Sequence, residues 1–181
     1  MNPPIPRMAR CLMFALVACV VLAARGVSAA EEIRVPFNFR WGDPPDLVEE
    51  TISKAKARVV DRTREGSKRV LTVAGHPDPR LKQSVFTFEN DALVEVELQY
   101  SDPSWDTAKI QSIFEQTRRN LDRKYGTSRN VARQTSREGD VVQTIVGYQW
   151  TQSYTSLRLV LYIAERGAET FRMLSYHYRG F

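Results

Sequence analysis

Cysteine and histidine are scarce in this chain of 181 residues, which contains two of each. Cys11 and Cys19 both lie in an N-terminal leader that we expect to be removed, so no thiol remains for a disulfide or a metal site. His76 and His177 are far apart in sequence and have no further ligand nearby, whereas a zinc site needs three or four. We therefore predict no metal and no cofactor, with His76 in a solvated loop and His177 as a polar residue on a sheet face.

The motifs that mark common enzyme classes are absent as well. The sequence has no G-x-S-x-G nucleophile elbow, no P-loop, no glycine fingerprint for a dinucleotide and no H-E-x-x-H motif. Glu95 and Glu97 alternate on one strand face, and we interpret them as solvated because glycosidase carboxylates must flank a pocket. The sequence thus favours a non-enzymatic binding or envelope-associated protein. A small periplasmic enzyme with an unrecognised site is one alternative.

Residues 1–30 have the pattern of a signal peptide. Arg7 and Arg10 precede an apolar run at residues 11–24, and small residues at 27–30 provide a cleavage site. The apolar run is shorter than the roughly 20 residues that span a bilayer. We therefore expect an exported protein, periplasmic or secreted, with no transmembrane segment after cleavage. A second reading takes Leu16-Val17-Ala18-Cys19 as a lipobox, with a lipid anchor on Cys19 and a structural, membrane-tethered lipoprotein as the outcome.

Most of the excess positive charge belongs to this leader. It holds three arginines and no acidic residue, so its removal lowers the formal net charge from +5 to +2. Nucleic-acid binding is therefore not expected. The remaining residues, 31–181, are enough for one domain that stands on its own hydrophobic core.

Ser104–Gly126 is the clearest helix signal. Apolar residues recur there at steps of three and four, Arg118 and Arg119 fall on the polar side, and Gly126 ends the helix. A shorter helix, capped by Asp43, is predicted to run through Ile52 towards Val59. Alternating apolar residues predict strands at 70–74, 85–88, 93–100, 141–152, 157–164 and 170–178. Residues 127–140 have no apolar period and are expected to form a connection.

The predicted fold class is α+β, with antiparallel strands in one or two sheets and both helices packed on one side. The order of elements suggests a tandem αβββ repeat, with pseudo-repeats at 43–100 and 104–180. Four residues are candidates for contact with a partner: Trp41, Trp105, Arg118 and Arg119. The tryptophans lie at helix starts, where they either cover the helix end or anchor an interface. The arginines belong to a basic run that is either a solvated surface or a patch for an acidic partner or anionic headgroups.

Several short motifs carry a resemblance to known proteins. Phe39-Arg40-Trp41-Gly42 before a capped helix, and the hairpin Phe86–Leu93, resemble small bacterial envelope modules. Lys124-Tyr125-Gly126, followed by Tyr148-Gln149-Trp150 and Leu157-Arg158-Leu159, is similar to the second half of uncharacterised secreted or periplasmic α+β proteins of this kind. The whole weakly resembles beta-lactamase-inhibitor-protein-like and outer-membrane-assembly-lipoprotein domains, which bind other proteins. The resemblance implies a fold, a compartment and another envelope protein as partner, but no catalytic residue.

We expect the mature protein to begin at Ala30 or Glu31, because the small residues stand where signal peptidase reads the chain. The intact mass of the exported protein measures this directly. A diacylglyceryl mass on Cys19 would instead establish the lipoprotein alternative.

Overall fold

The computed structural model describes residues 30–181, so the predicted signal peptide up to residue 29, including Cys19, lies outside the described residues. An extended arm with a 3-10 turn at Pro36–Asn38 leads into ten regular elements. These are α1 (Pro45–Lys54), β1 (Arg58–Glu65), β2 (Lys68–Ala74), β3 (Leu81–Glu89), β4 (Ala92–Tyr100), α2 (Thr107–Tyr125), β5 (Arg129–Glu138), β6 (Val141–Gln152), β7 (Thr155–Arg166) and β8 (Glu169–Gly180).

All eight strands form one antiparallel sheet in the order β1-β2-β3-β4-β8-β7-β6-β5. Each half of the domain is therefore a helix followed by four consecutive strands, and the last strand of each half meets the other at the centre of the sheet. The predicted α+β class is confirmed. The predicted repeat of a helix with three strands is wrong by one strand in each half, because the sheet is larger than the sequence pattern indicates.

The predicted packing of both helices on one side of the sheet is also wrong as stated, since the helices do not form a shared layer. Helix α1 contacts β1, whereas α2 contacts β7 and β8. Each helix thus covers the core of its own half. Two separate clusters result, one around Val48, Phe86 and Val96 and the other around Phe114 and Trp150.

The two strands that sequence analysis missed are the edges of the sheet. Most side chains of β1 are exposed, and β5 is exposed along most of its length. Their sequences, RVVDRTRE and RNVARQTSRE, carry charge where an inner strand carries apolar residues. Charged side chains on an edge discourage pairing with another chain, and they also remove the apolar alternation by which a strand is recognised. The predicted connection at 127–140 is therefore mostly β5.

The long helix starts at Thr107, three residues after Ser104, where the sequence predicted its beginning. Asp106, rather than Ser104, caps α2, since its Oδ1 accepts a hydrogen bond of 2.7 Å from the backbone N–H of Lys109. Gly126 ends the helix as predicted, with φ at +89°. In the first helix the cap position is Pro44, and Asp43 accepts a hydrogen bond from the backbone N–H of Arg40 instead.

Three tyrosines join the two core clusters where the halves meet. Tyr100, Tyr176 and Tyr178 pack against both clusters, and the rings of Tyr100 and Tyr176 meet edge to face at 5.6 Å. Burial is the main cause that raises the pKa of each of the three phenols. A continuous apolar layer therefore lies beneath the junction of β4 and β8.

The N-terminal arm ties the halves together a second time. Ile33 is buried in the second cluster and donates its backbone N–H to Oε1 of Gln152 at 2.7 Å, whereas Phe39 is buried in the first cluster. The indole N–H of Trp41, in the first half, donates to Oγ1 of Thr155, in the second, at 3.0 Å. Its ring lies so close to Gly180 that a Cβ added there would meet it at 2.7 Å.

Phe114→Ala should lower the free energy of unfolding by about 3–5 kcal/mol, because the side chain is 2% exposed in the second cluster and its loss leaves a cavity. Arg119→Ala, on the exposed side of the same helix, is the control and should change it by no more than about 0.5 kcal/mol. Urea unfolding measures both, and equal effects would contradict the orientation of α2.

Candidate functional site

The two tryptophans proposed for partner contact lie in structural positions. Trp105 is 8% exposed and belongs to the second core cluster. Trp41 is half-buried at the junction of the halves, held by Thr155 and Gly180. Their part in binding stays a prediction, and the contacts of both side chains with the rest of the domain favour the alternative in which they cover helix ends.

The two arginines have different surroundings. Arg119 is exposed. Arg118, predicted on the polar side, is only partly exposed: it donates to Glu115 at 3.1 Å and to Asp122 at 2.9 Å, and its guanidinium carbon lies 5.0 Å from the ring centroid of Tyr148. Burial alone would lower the pKa of Arg118, but the hydrogen bond to Glu115 and the charges of Glu115 and Asp122 together raise this pKa above its ordinary value. The predicted orientation of α2 is confirmed, since Ile110 and Phe114 are buried, but the packed surface of the helix is wider than its apolar stripe.

Asp122 is the centre of a hydrogen-bond network at the end of α2. Its Oδ1 accepts from the indole N–H of Trp150 at 3.2 Å and from the backbone N–H of Ser128 at 3.0 Å. The same indole donates to the carbonyl of Gly126 at 2.9 Å. A fully buried tryptophan is thus satisfied by the helix end, which fixes where the chain turns into β5. The network is structural, and sequence analysis did not find it because its members are far apart in the chain.

His76 lies in the predicted loop, between β2 and β3, but its ring is half-buried rather than solvated. Its Nε2 lies 3.0 Å from Oγ of buried Ser84, and the ring of Phe37 stacks on it at 5.9 Å. Burial lowers the pKa of His76, and a hydrogen bond with Val73 partly opposes this. We assign it a packing role in the first half of the domain.

A second surface of the central strands is free of the core. It consists of side chains on β4, β8 and β7 that alternate with the buried ones, and we call it the central face: Glu95, Glu97, Gln99, Arg158, Val160, Tyr162, Phe171, Met173, Ser175, His177 and Arg179. His177 lies on a sheet face as predicted. The alternation on each strand was visible in the sequence. The pairing of β4 with β8, which brings these residues together, was not.

Charged groups converge in the middle of the central face. His177 Nδ1 lies 3.7 Å from Glu97 and 4.0 Å from Glu95, and the three side chains are 27%, 23% and 37% exposed. Arg158 and Arg179 are the cross-strand neighbours of His177 and Glu95. Acids and bases are thus interspersed, and the acids stay accessible as the sequence indicated.

One end of the central face is apolar. The rings of Tyr162 and Phe171 meet at 6.0 Å, and Phe171 is 52% exposed. Beside them is a depression of about 400 Å³, lined by Lys82, Gln83, Gln99, Tyr100, Ser101, Phe171 and Met173. An accessible aromatic pair beside a polar rim is typical of an interface.

One group of side chains on the central face has the sequence of contacts found in a catalytic triad, with Ser175 as nucleophile, His177 as base and Glu97 as the orienting acid. Ser175 Oγ is 2.9 Å from His177 Nε2. Two features oppose a catalytic reading. Ser175 is 1% exposed, and its backbone lies in a strand paired on both sides, with Gln99 and Val160 opposite, so no free N–H is offered to an oxyanion.

Within residues 30–181, no group of three or more His, Cys, Asp or Glu side chains is arranged to hold a metal ion. Neither α1 nor α2 has the length and apolar composition that a membrane crossing demands. Comparison of the chain with family models, with curated proteins and with solved structures gave no match. The resemblance to envelope binding domains therefore stays a prediction, based on its short motifs.

Proposed function

We propose that this protein is an exported, non-enzymatic binding protein that recognises another envelope protein through its central face. Export is supported by the leader pattern at residues 1–30. Binding is supported by one observation above all: an accessible aromatic pair adjoins interspersed acids and arginines on strands at the centre of the sheet. The other aromatic residues of the inner strands are buried or half-buried, whereas Phe171 remains 52% exposed.

The rigidity of the surface supports the same function. β4 and β8 are inner strands, each hydrogen-bonded on both sides, and their core residues Val96 and Leu174 are buried. Side chains on such strands are held in place before a partner arrives, so little ordering entropy opposes binding. Arg158 is further positioned by a hydrogen bond of 3.2 Å to Gln149.

Phe171→Ala and Arg158→Glu should each weaken capture of an envelope protein by roughly tenfold or more, because aromatic residues and arginines dominate interface energies. Tagged mature protein would be incubated with envelope extract and the bound protein quantified against its input. Both residues are exposed, so the melting curves should stay close to that of the wild type.

Leu47→Ala provides the matched control, because Leu47 is also a large exposed hydrophobic residue, 42% exposed, but lies on α1. It should leave capture unchanged. Equal capture by the wild type and both central-face variants would refute the proposal, as would an equal loss with Leu47→Ala.

A small hydrolase is the second candidate, favoured only by the 2.9 Å contact between Ser175 and His177. A fluorophosphonate probe, which labels activated serines, separates the two functions. We expect no labelling of the folded wild type above that of heat-denatured protein, because Ser175 is buried. Labelling of the wild type that disappears in Ser175→Ala would establish the hydrolase instead.

A further inference from the structure

The cross-strand neighbours on the central face are chemically complementary pairs. Glu95 stands opposite Arg179, Glu97 opposite His177, and Gln99 opposite Ser175. In each pair the first member is on β4 and the second on β8. Glu95 is not consumed by an ion pair with arginine: in the described part of the chain its ion-pair contact is the 4.0 Å approach to His177.

We propose that a second copy of this chain binds the central face. A two-fold axis relates the two copies; it lies between the two sheets, parallel to the strands and level with the boundary between β4 and β8. The inference rests on the proposed function in using the same surface, and it adds a second occupant that competes there with the envelope protein. Such an axis lays β4 of each copy over β8 of the other. Glu95 then faces Arg179 of the second copy, and Glu97 faces its His177, with every contact made twice.

Aligned sheets can stack in this way. Two packed sheets lie about 10 Å apart with their strands within about 30° of each other. Eight strands spaced by about 4.8 Å, each roughly nine residues long, offer a face of roughly 1,000 Å². A standard interface buries about 800 Å² per partner. The sheet is therefore large enough for a stable contact even where its twist parts the edges.

The exposed ring of Phe171 fits the same symmetry. On β8 it lies beyond the level at which Leu174 pairs with Tyr100, the last residue of β4. The axis therefore places it over the end of β4 in the second copy, where the depression of about 400 Å³ opens beside Gln99 and Ser101. Each copy buries one aromatic ring in the other, and the charged pairs fix the register.

A dimer of this form would regulate the proposed function. The residues that contact the second copy are the ones proposed to contact an envelope protein, so the two complexes exclude each other. The free dimer then holds the surface covered until a partner of higher affinity replaces the second copy.

Sedimentation velocity of the mature protein over a range of concentrations tests the inference. The wild type should sediment as a dimer. Glu95→Arg and Arg179→Glu each place like charges across the contact and should weaken dimerisation at least tenfold, whereas the double exchange of both residues should restore it. Arg64→Glu, on the exposed edge strand β1 and on the opposite side of the sheet from the central face, is the matched control and should leave the dimer intact.

Phe171→Ala covers the case in which a charge reversal disturbs folding, because it changes no charge and its side chain is already half exposed. It should also weaken the dimer at least tenfold with an unchanged melting curve. A wild type that stays monomeric up to about 100 μM, or a double exchange no better than the single variants, overturns the inference. If the wild type is monomeric but central-face variants still lose capture of an envelope protein, the dimer is refuted and the proposed function is supported.

Discussion

The antiparallel pairing of β4 with β8 is the interaction on which the whole domain depends. It is the ladder that crosses from one half of the chain to the other, from Glu95–Arg179 to Tyr100–Leu174. Without it each half would be a four-stranded sheet with an unpaired inner edge and an open core. Beneath the ladder, three tyrosines close the apolar layer, and above it the paired side chains form the central face. Core and surface are thus set by one register.

The remaining ties between the halves strengthen this arrangement. The N-terminal arm places Ile33 in one cluster and Phe39 in the other, and Trp41 reaches across to Thr155. Gly180 is required beneath that indole, since even a methyl group would collide with it. A slip of one residue between β4 and β8 would move buried side chains to the opposite face. The arm and Trp41 make such a slip more costly, because they fix the ends of the strands independently.

Local patterns were sufficient for the inner elements of the fold and insufficient for its edges. The hairpin of β3 and β4, the long helix and the last three strands could be predicted because burial on one face imposes a period on the sequence. β1 and β5 could not, because an edge strand is selected for charge. The network at the end of α2 shows a second reason why local patterns are insufficient. Asp122 is polar but packs against Trp150, and Arg118 packs there as well because it donates to Asp122.

The candidate site shows the same division. Each strand of the central face could be read as alternating, and Glu95, Glu97 and His177 could be placed on sheet faces. Their convergence depends on β8 lying beside β4 rather than beside another strand, and no local pattern specifies that choice. The tryptophans were singled out because no strand alternation explained them; the structure explains them by contacts between distant segments.

The strand order also determines when the central pair of strands can form during folding. β8 is the last of the eight strands along the chain, yet it occupies the middle of the sheet. A chain that emerges N-terminus first would present β4 with an unsatisfied edge while roughly eighty further residues follow. Pairings of such long range form slowly, and an open inner edge can pair with a wrong strand meanwhile. A chaperone that assists this chain would therefore have to cover the unpaired edge of β4 until β8 is available to pair with it.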